Sequence, residues 1–344
     1  MKIVYGIQAT GNGHISRSRE LVRELRLQGH DVRCVFSGRT AAELWGVDEF
    51  QPFTVLKGLT FAFNKGRVQM LRTARQLDLP QFYRDIFAMD LRGVDLVLSD
   101  YEPVTARAAK LRGVPSMGVG HQYAFQHPIP KVRAFSPDSV IMRSFAPVSI
   151  PVGLHWHHFA CPILPPIIPR LKPAPGGNGT IIVYLPFEDP ARVAEFLAWF
   201  SRYRFAVFTN AKFARLPGNV EHRPLSREGF LHELRACSGV ISNAGFELAS
   251  EALSLGKKLL VKPLAGQLEQ LSNGLALEKA GLGRTMRTLD AAALAEWLAA
   301  PGIAPVRYPD VAHGVASWIS GGDWQDVPGL ARSLWAQSSF PMTA

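Results

Sequence analysis

The sequence predicts an α/β protein made of two parallel-sheet domains. Short apolar runs alternate with amphipathic helical segments along its 344 residues, the rhythm of strand, helix and parallel strand. A stretch dense in proline and glycine divides the chain near its middle. In both halves polar, glycine-containing turns follow apolar runs, which is where parallel sheets place their ligands. The length exceeds one ordinary core and fits two domains of roughly 150 residues each. An apolar content of 47% is enough to bury both.

In the first half, Met1 to Ile7 reads as a buried strand, Gln8 to His14 as a glycine-rich turn, and Ser16 to Gln28 as a helix burying Leu21, Val22 and Leu25. Gly11, Asn12 and Gly13 are thus expected in a phosphate-type loop. The GxGH pattern lacks both the third glycine of a dinucleotide fingerprint and the lysine of a P-loop, and a helix-start role bonded to nearby backbone is the bland alternative for His14. Further strands are expected at Val32–Ser37, Leu96–Ser99, Ser116–Val119 and Ser139–Ile141, with helices at Ala41–Leu44, Val68–Leu77 and Val104–Leu111. Asp100 and Glu102 follow a strand at its carboxyl end. Asp100 is therefore either a partner of His14, as orienting group or as general base, or the N-cap of the helix beginning near Val104. His121 and Gln122 occupy the loop after the next strand. Residues 1–160 make up this domain.

Cys161 to Gly179 holds six prolines and three glycines, too many for a helix or strand, and residues 161–179 are read as the linker. Thr180 to Leu185 opens the second domain, residues 180–320, continued by Ala206–Thr209. Gly239–Ser242 is a strand, Asn243-Ala244-Gly245 a tight turn, and the helix after it carries Leu248, Ala249, Ala252 and Leu253 on one stripe until Gly256 ends it. Lys258–Val261 is the next strand. Gln267, Gln270 and Asn273 start the helix beyond it, whose unpaired N–H groups attract anions. A carboxylate such as Glu251 matches the two vicinal hydroxyls of a ribose, and the carboxamides suit sugar hydroxyls. A solvated helix face is the alternative for Glu247 and Glu251. Residues 321–344 are expected to pack back on the first domain.

The stretch Asn243–Gly283 resembles the donor motif of glycosyltransferases with the two-domain GT-B fold, most closely the lipid II N-acetylglucosaminyltransferases and the UDP-glycosyltransferase superfamily. The matching positions are Gly245, with Glu251 six residues on, then Glu269, Gln270, Asn273 and the tail from Leu277 to Gly283. Gly11, Gly13 and His14 resemble the same family's acceptor loop, and His121 its histidine-bearing loop. The resemblance implies two Rossmann-like domains facing across a cleft. It implies a UDP-sugar or similar nucleotide-diphosphate sugar held by Asn243, Gly245, Glu251, Gln267, Glu269, Gln270 and Asn273. The acceptor would carry a hydroxyl and be lipid- or polysaccharide-linked, with His14 or Asp100 as the base and neither metal nor cofactor. Pro186-Phe187-Glu188-Asp189-Pro190 departs from the family's glycine- and serine-rich loop, and its acids would repel a diphosphate. A UDP-sugar 2-epimerase and a catalytically silent sugar-nucleotide binder are the alternatives.

A net charge of +10 attracts anions. No nucleic-acid-binding pattern accompanies it. Asn64–Arg75 interleaves Lys65, Arg67, Arg72 and Arg75 with Val68, Met70 and Leu71, as a helix on an anionic membrane surface would, or as an ordinary basic surface helix. Cys34, Cys161 and Cys237 are far apart, which suits a reducing compartment. His155, His157 and His158 lack a carboxylate at ligand spacing and read as interdomain packing. A strand starting at Met1 leaves no room for a signal peptide, so the expected location is cytoplasmic, peripheral on the inner membrane face.

Overall fold

A computed structural model describes residues 1–44, 46–59, 63–64, 67–68, 78–132, 144–174 and 177–342. In the first half the strands are β1 (Lys2–Gln8), β2 (Asp31–Ser37), β3 (Phe53–Leu56), the short pair β4 (Phe63–Asn64) and β5 (Arg67–Val68), β6 (Leu96–Asp100), β7 (Ser116–Gly120) and β8 (Ile150–Gly153). Their helices are α1 (Asn12–Leu27), α2 (Leu79–Ala88), α3 (Pro103–Arg112) and the single turn α4 (His121–Ala124). Six of the strands form one sheet in the order β3-β2-β1-β6-β7-β8, every neighbouring pair parallel.

The second half repeats the plan. Strands β9 (Thr180–Tyr184), β10 (Arg204–Phe208), β11 (Val220–Arg223), β12 (Gly239–Ser242), β13 (Lys258–Val261) and β14 (Arg284–Thr285) form a parallel sheet in the order β11-β10-β9-β12-β13-β14. Helices α5 (Pro190–Ala198), α6 (Arg227–Ala236), α7 (Phe246–Ser254), α8 (Leu268–Lys279) and α9 (Ala291–Ala299) accompany it, and α10 (Val311–Gly321) and α11 (Val327–Trp335) close the chain. Strand order reverses between β1 and β6 in one sheet and between β9 and β12 in the other. Loops leaving the strands at such a reversal diverge to opposite faces and open a crevice.

One contiguous core runs from Tyr5, Ile7 and Leu98 of the first sheet through Trp156 and Phe246 to Ile182, Val240 and Val261 of the second. Burying each leucine- or phenylalanine-sized side chain there stabilises the fold by about 1.5–3 kcal/mol. The C-terminal helices return to the first half. α10 lies along α1, where Gln28 Nε2 donates to Ser317 at 3.1 Å and His30 Nε2 lies 2.7 Å from the Ser320 hydroxyl. Trp335 of α11 donates to the Ile163 carbonyl at 2.6 Å.

Several expectations are corrected. α1 starts at Asn12 rather than Ser16, so the glycine-rich turn supplies its first turn. Ala41–Glu43 is a single 3₁₀ turn closed by a capping box between Thr40 and Glu43. The basic segment Asn64–Arg75 does not begin as a helix: Asn64 pairs with Arg67 in an antiparallel strand pair, while Lys65, Arg72 and Arg75 lie outside the described residues. The strand expected at Ser139–Ile141 also lies outside them. The sheet edge is β8, whose Pro151 an edge strand accommodates. No helix among the described residues is long and apolar enough to cross a membrane.

β1 lies close against α3. A Cβ added to Gly6 would fall 2.0 Å from Thr105 Oγ1 and 2.8 Å from Glu102 Oε2. Gly6→Ala should therefore destabilise the protein by about 1–3 kcal/mol through overpacking, read as a lower urea midpoint with an unchanged slope.

Candidate functional site

The loops after β1 and β6 bring two sequence-distant groups together at the first reversal. Gly11 is extended and caps α1 with no side chain, and no acidic residue occupies the helix's first turn, so its early N–H groups carry an uncompensated positive end. His14 projects from that turn. Its Nδ1 lies 2.9 Å from Asp100 Oδ1, at the end of β6. Asp100 is fully buried. It is not a helix cap: Glu102 fills that position, accepting from Val104 N at 2.9 Å and Thr105 N at 2.6 Å. Asp100 is thereby left to the crevice. Tyr101, directly after it, has φ +55°, a left-handed conformation costly for a non-glycine residue.

Arg17 completes the cluster, and the sequence reading passed over it. One turn after His14 and 3% exposed, it grips Asp100 through Nε–Oδ2 at 2.7 Å and Nη2–Oδ1 at 2.5 Å. Its Nη2 lies 2.7 Å from His14 Nδ1 and 3.3 Å from Gln122 Oε1, and its Nη1 donates to Glu247 Oε1 at 2.7 Å. Ser18, four residues after His14 on the same helix face, donates to Asp100 Oδ2 at 3.1 Å. A charge at helical spacing beside Leu21 and Leu25 on a buried face was the available signal. Burial opposes the Arg17 charge, but Asp100 and Glu247 more than offset it and raise its pKa; burial likewise opposes ionisation of Asp100, and Arg17 and His14 hold its carboxyl below the usual range.

The opposite wall is α7. Gly13 makes the close approach: a Cβ there would fall 2.8 Å from Glu247 Cγ. Ser16 donates to Glu251 Oε1 at 3.3 Å, so two carboxyls of α7 face α1. Burial pushes Glu247 up to about 8, with help from Glu251 and Asp100 against Arg17, and pushes Glu251 up to about 7. Beyond Gly245, at the start of α7, an added Cβ would meet open space. Four buried polar atoms, at the end of β12 and the turn after it, in α7 and at the N-cap of α8, have no hydrogen-bond partner among the described residues: Ser242 Oγ, Asn243 Oδ1, Glu247 Oε2 and Gln267 Oε1.

The other expected site residues are distributed unevenly. His121, stacked 4.1 Å from the Phe246 ring, has its Nδ1 2.9 Å from the Leu154 carbonyl and its Nε2 2.7 Å from Asn273 Oδ1. Asn273 also donates to the Ala244 carbonyl at 2.9 Å, so its amide is taken up within the protein and fastens the turn after β12. Gln270 accepts from Leu264 N at 3.0 Å and shapes the loop after β13. Gln122 reaches Glu269 across the crevice at 3.3 Å. Asn12 accepts from Arg39 at 2.8 Å, at the mouth of the loop. The acids of the Pro186–Pro190 loop are not bare: Glu188 pairs with Lys262 at 2.6 Å, and Asp189 caps α5 by accepting from Ala191 N. His155 packs among Trp156, Phe159 and Phe246, and His157 and His158 accept from the backbone of Phe159 and Ala160. Among the described residues, no three His, Cys, Asp or Glu side chains are grouped to hold a metal ion.

Residues 1–301 match the family described as glycosyl transferase family 1. An uncharacterized glycosyltransferase of Methanosarcina acetivorans is 26% identical over 337 residues, covering 84% of each chain. Among solved structures, Arabidopsis thaliana UGT89C1 in complex with quercetin superposes with a TM-score of 0.60 at 13% identity, covering 87% of this chain and 89% of that one. LpCGTa in complex with UDP superposes with a TM-score of 0.59 at 14% identity, covering 97% and 98%. These likenesses establish the GT-B fold.

The raised carboxyls make stability depend on pH. A carboxyl whose pKa rises on folding, here from 4.5, contributes most below its unfolded value and loses that contribution as pH climbs through its folded value. Thermal stability should fall between about pH 5 and about pH 8.5, and the double change Glu247→Gln with Glu251→Gln should flatten that slope in melting curves. An unchanged slope would show that neither carboxyl titrates there.

Proposed function

This chain belongs to glycosyl transferase family 1, and we propose that it moves a sugar from a nucleotide-diphosphate donor, a UDP-sugar, to a hydroxyl acceptor across the crevice between its two sheets. The observation that carries this reading is the placing of the His14–Asp100 pair at the reversal of one sheet, directly opposite α7 and the turn after β12 at the reversal of the other. His14, with Nδ1 toward Asp100, takes the acceptor's hydroxyl proton on Nε2. The acceptor oxygen bonds to the anomeric carbon, the bond from that carbon to the phosphate oxygen breaks, and its electron pair leaves with the nucleotide diphosphate. Asp100 orients the imidazole and balances the charge it gains.

On the donor side, Glu251 accepts from the ribose hydroxyls, and the diphosphate lies over the open space at Gly245, beside the N-termini of α7 and α1. Asn243 Oδ1 and Gln267 Oε1 are acceptors without partners among the described residues, which suits the hydroxyl hydrogens of a hexose, and Glu269 and Gln270 flank that position. His121 and Asn273 hold the two walls together behind it. The UDP held by LpCGTa supports a uridine donor.

Incubation with a panel of nucleotide sugars, followed by nucleotide release with water as slow acceptor, tests the whole reading. Glu251→Ala should weaken UDP binding about tenfold or more by calorimetry in a folded protein, while His14→Ala should lower turnover by roughly a hundred- to ten-thousandfold and leave UDP affinity nearly unchanged. Wild-type turnover in His14→Ala alongside a dead Asp100→Asn would make the carboxylate the base. Interconversion of the sugar without release would make the protein an epimerase.

Two further expectations belong to the same reading. Diphosphate stabilisation by helix N-termini calls for no metal, so EDTA should leave nucleotide release intact. A lipid-linked acceptor at a membrane surface is supported by the net charge of +10 and by Leu79, Tyr83 and Phe87, exposed at intervals of four residues along α2. Vesicles rich in phosphatidylglycerol should sediment the protein, neutral vesicles should not, and Tyr83→Ser with Phe87→Ser should abolish the difference.

A further inference from the structure

Arg17, a cation buried in the crevice, has no part in the chemistry above, yet it touches both members of the His14–Asp100 pair and the opposite wall. Arg17 meets Asp100 with a two-point fork, meets His14 Nδ1 at 2.7 Å and meets Glu247 of the opposite wall at 2.7 Å. These contacts are not all compatible. A guanidinium nitrogen only donates, and an ionised carboxylate only accepts. His14 Nδ1 therefore either keeps a hydrogen and donates it to Asp100, leaving Nε2 free to take a proton, or gives up that hydrogen and accepts from Arg17, leaving Nε2 protonated and unable to act as a base. Arg17 and Asp100 compete for one atom.

The remaining contacts favour the productive arrangement. With Nε and one Nη2 hydrogen on Asp100, and Nη1 drawn to Glu247, the guanidinium plane is fixed at three points. Its last Nη2 hydrogen then has Gln122 Oε1, at 3.3 Å, as an alternative to His14. Glu247 comes from α7, 230 positions further along the chain, and meets α1 only because Gly13 permits the approach. Its second oxygen is buried without a partner among the described residues, which leaves Arg17 as the group that holds the carboxyl there.

We propose that Arg17 is a positioning residue for the His14–Asp100 pair and that Glu247 seats it from the opposite wall, so that approach of the two walls selects the His14 tautomer with hydrogen on Nδ1. This deepens the proposed transfer reaction and rests on His14 being its base.

The test reads the tautomer directly. Long-range ¹H–¹⁵N spectra of the histidine side chains near pH 8, with the His14 signals assigned by their loss in His14→Ala, report which ring nitrogen carries the hydrogen. The wild type should show His14 mainly protonated on Nδ1. Arg17→Lys keeps the charge but loses the fork, and Glu247→Gln keeps the shape but loses the carboxylate; both should shift His14 towards the Nε2-protonated form. Nucleotide release from a UDP-hexose should fall at least tenfold in Arg17→Lys, with UDP affinity changed less than threefold, and Arg17→Lys should add nothing further in a His14→Ala background. The proposal is overturned if the wild-type tautomer is Nε2–H, if neither variant moves it, or if Arg17→Lys multiplies the loss already caused by His14→Ala. Full activity in His14→Ala would instead sink the assignment of the base, a result the tautomer spectra do not depend on. Arg17→Lys keeps a cation opposite both carboxyls, so near-UV circular dichroism should match the wild type and separate a seating defect from unfolding.

Discussion

Two carboxyls from opposite sides of the crevice share one buried guanidinium, and much of the molecule's architecture answers to that arrangement. Removing a charge from water is costly, and it is tolerated only where partners and hydrogen bonds replace the lost solvent. Arg17 meets that condition with Asp100, Glu247 and Gln122. Breaking such a pair by deleting one member typically costs about 3–5 kcal/mol, because the survivor stays buried and uncompensated. Several local features fit this demand. Glu102 takes the capping position that Asp100 could have filled, Gly13 and Gly120 leave room for the approach, and Tyr101, directly after Asp100, holds a left-handed conformation.

Much of the fold was legible because buried parallel strands are written as continuous apolar runs. Gly239–Ser242 and Lys258–Val261 were bounded correctly from sequence, since a glycine or lysine marks one end and a polar residue follows the other. The edges were not legible. β3, β8 and β11 expose residues, carry a proline or mix polar with apolar side chains, so no clear periodicity marks them. α1 was placed four residues late, because glycine and asparagine read as a turn even when they form the first turn of a helix.

Within the site, the residue types were legible and their partnerships only partly so. His14, Asp100 and Gln267 stand at strand-end or helix-start positions that a parallel sheet turns towards its crevice, Glu251 lies within the helix that follows such a turn, and all four could be named from sequence. Arg17 carried only the signal of its spacing from Leu21 and Leu25, because its partners lie 83 and 230 positions away, and an arginine between serines on a helix ordinarily faces water. Asn273 shows the converse. A carboxamide at a helix start looks like a ligand group, and the structure spends it on His121 and the turn after β12.

The return of α10 to α1 has a mechanical consequence. The chain passes between the halves twice, once through the proline-rich stretch and once between α9 and α10, and a body tethered at two points turns most easily about the line joining them. α1 reaches from that line to the crevice like a lever: its C-terminal end is fastened to Ser317 and Ser320, while Arg17 lies eleven residues nearer the opening. At 1.5 Å per residue that arm is about 16 Å long, so a turn of roughly ten degrees would carry Glu247 about 3 Å from Arg17. That displacement matches the length of one hydrogen bond. A rotation of that size at the back of the molecule would make or break a single contact at its front.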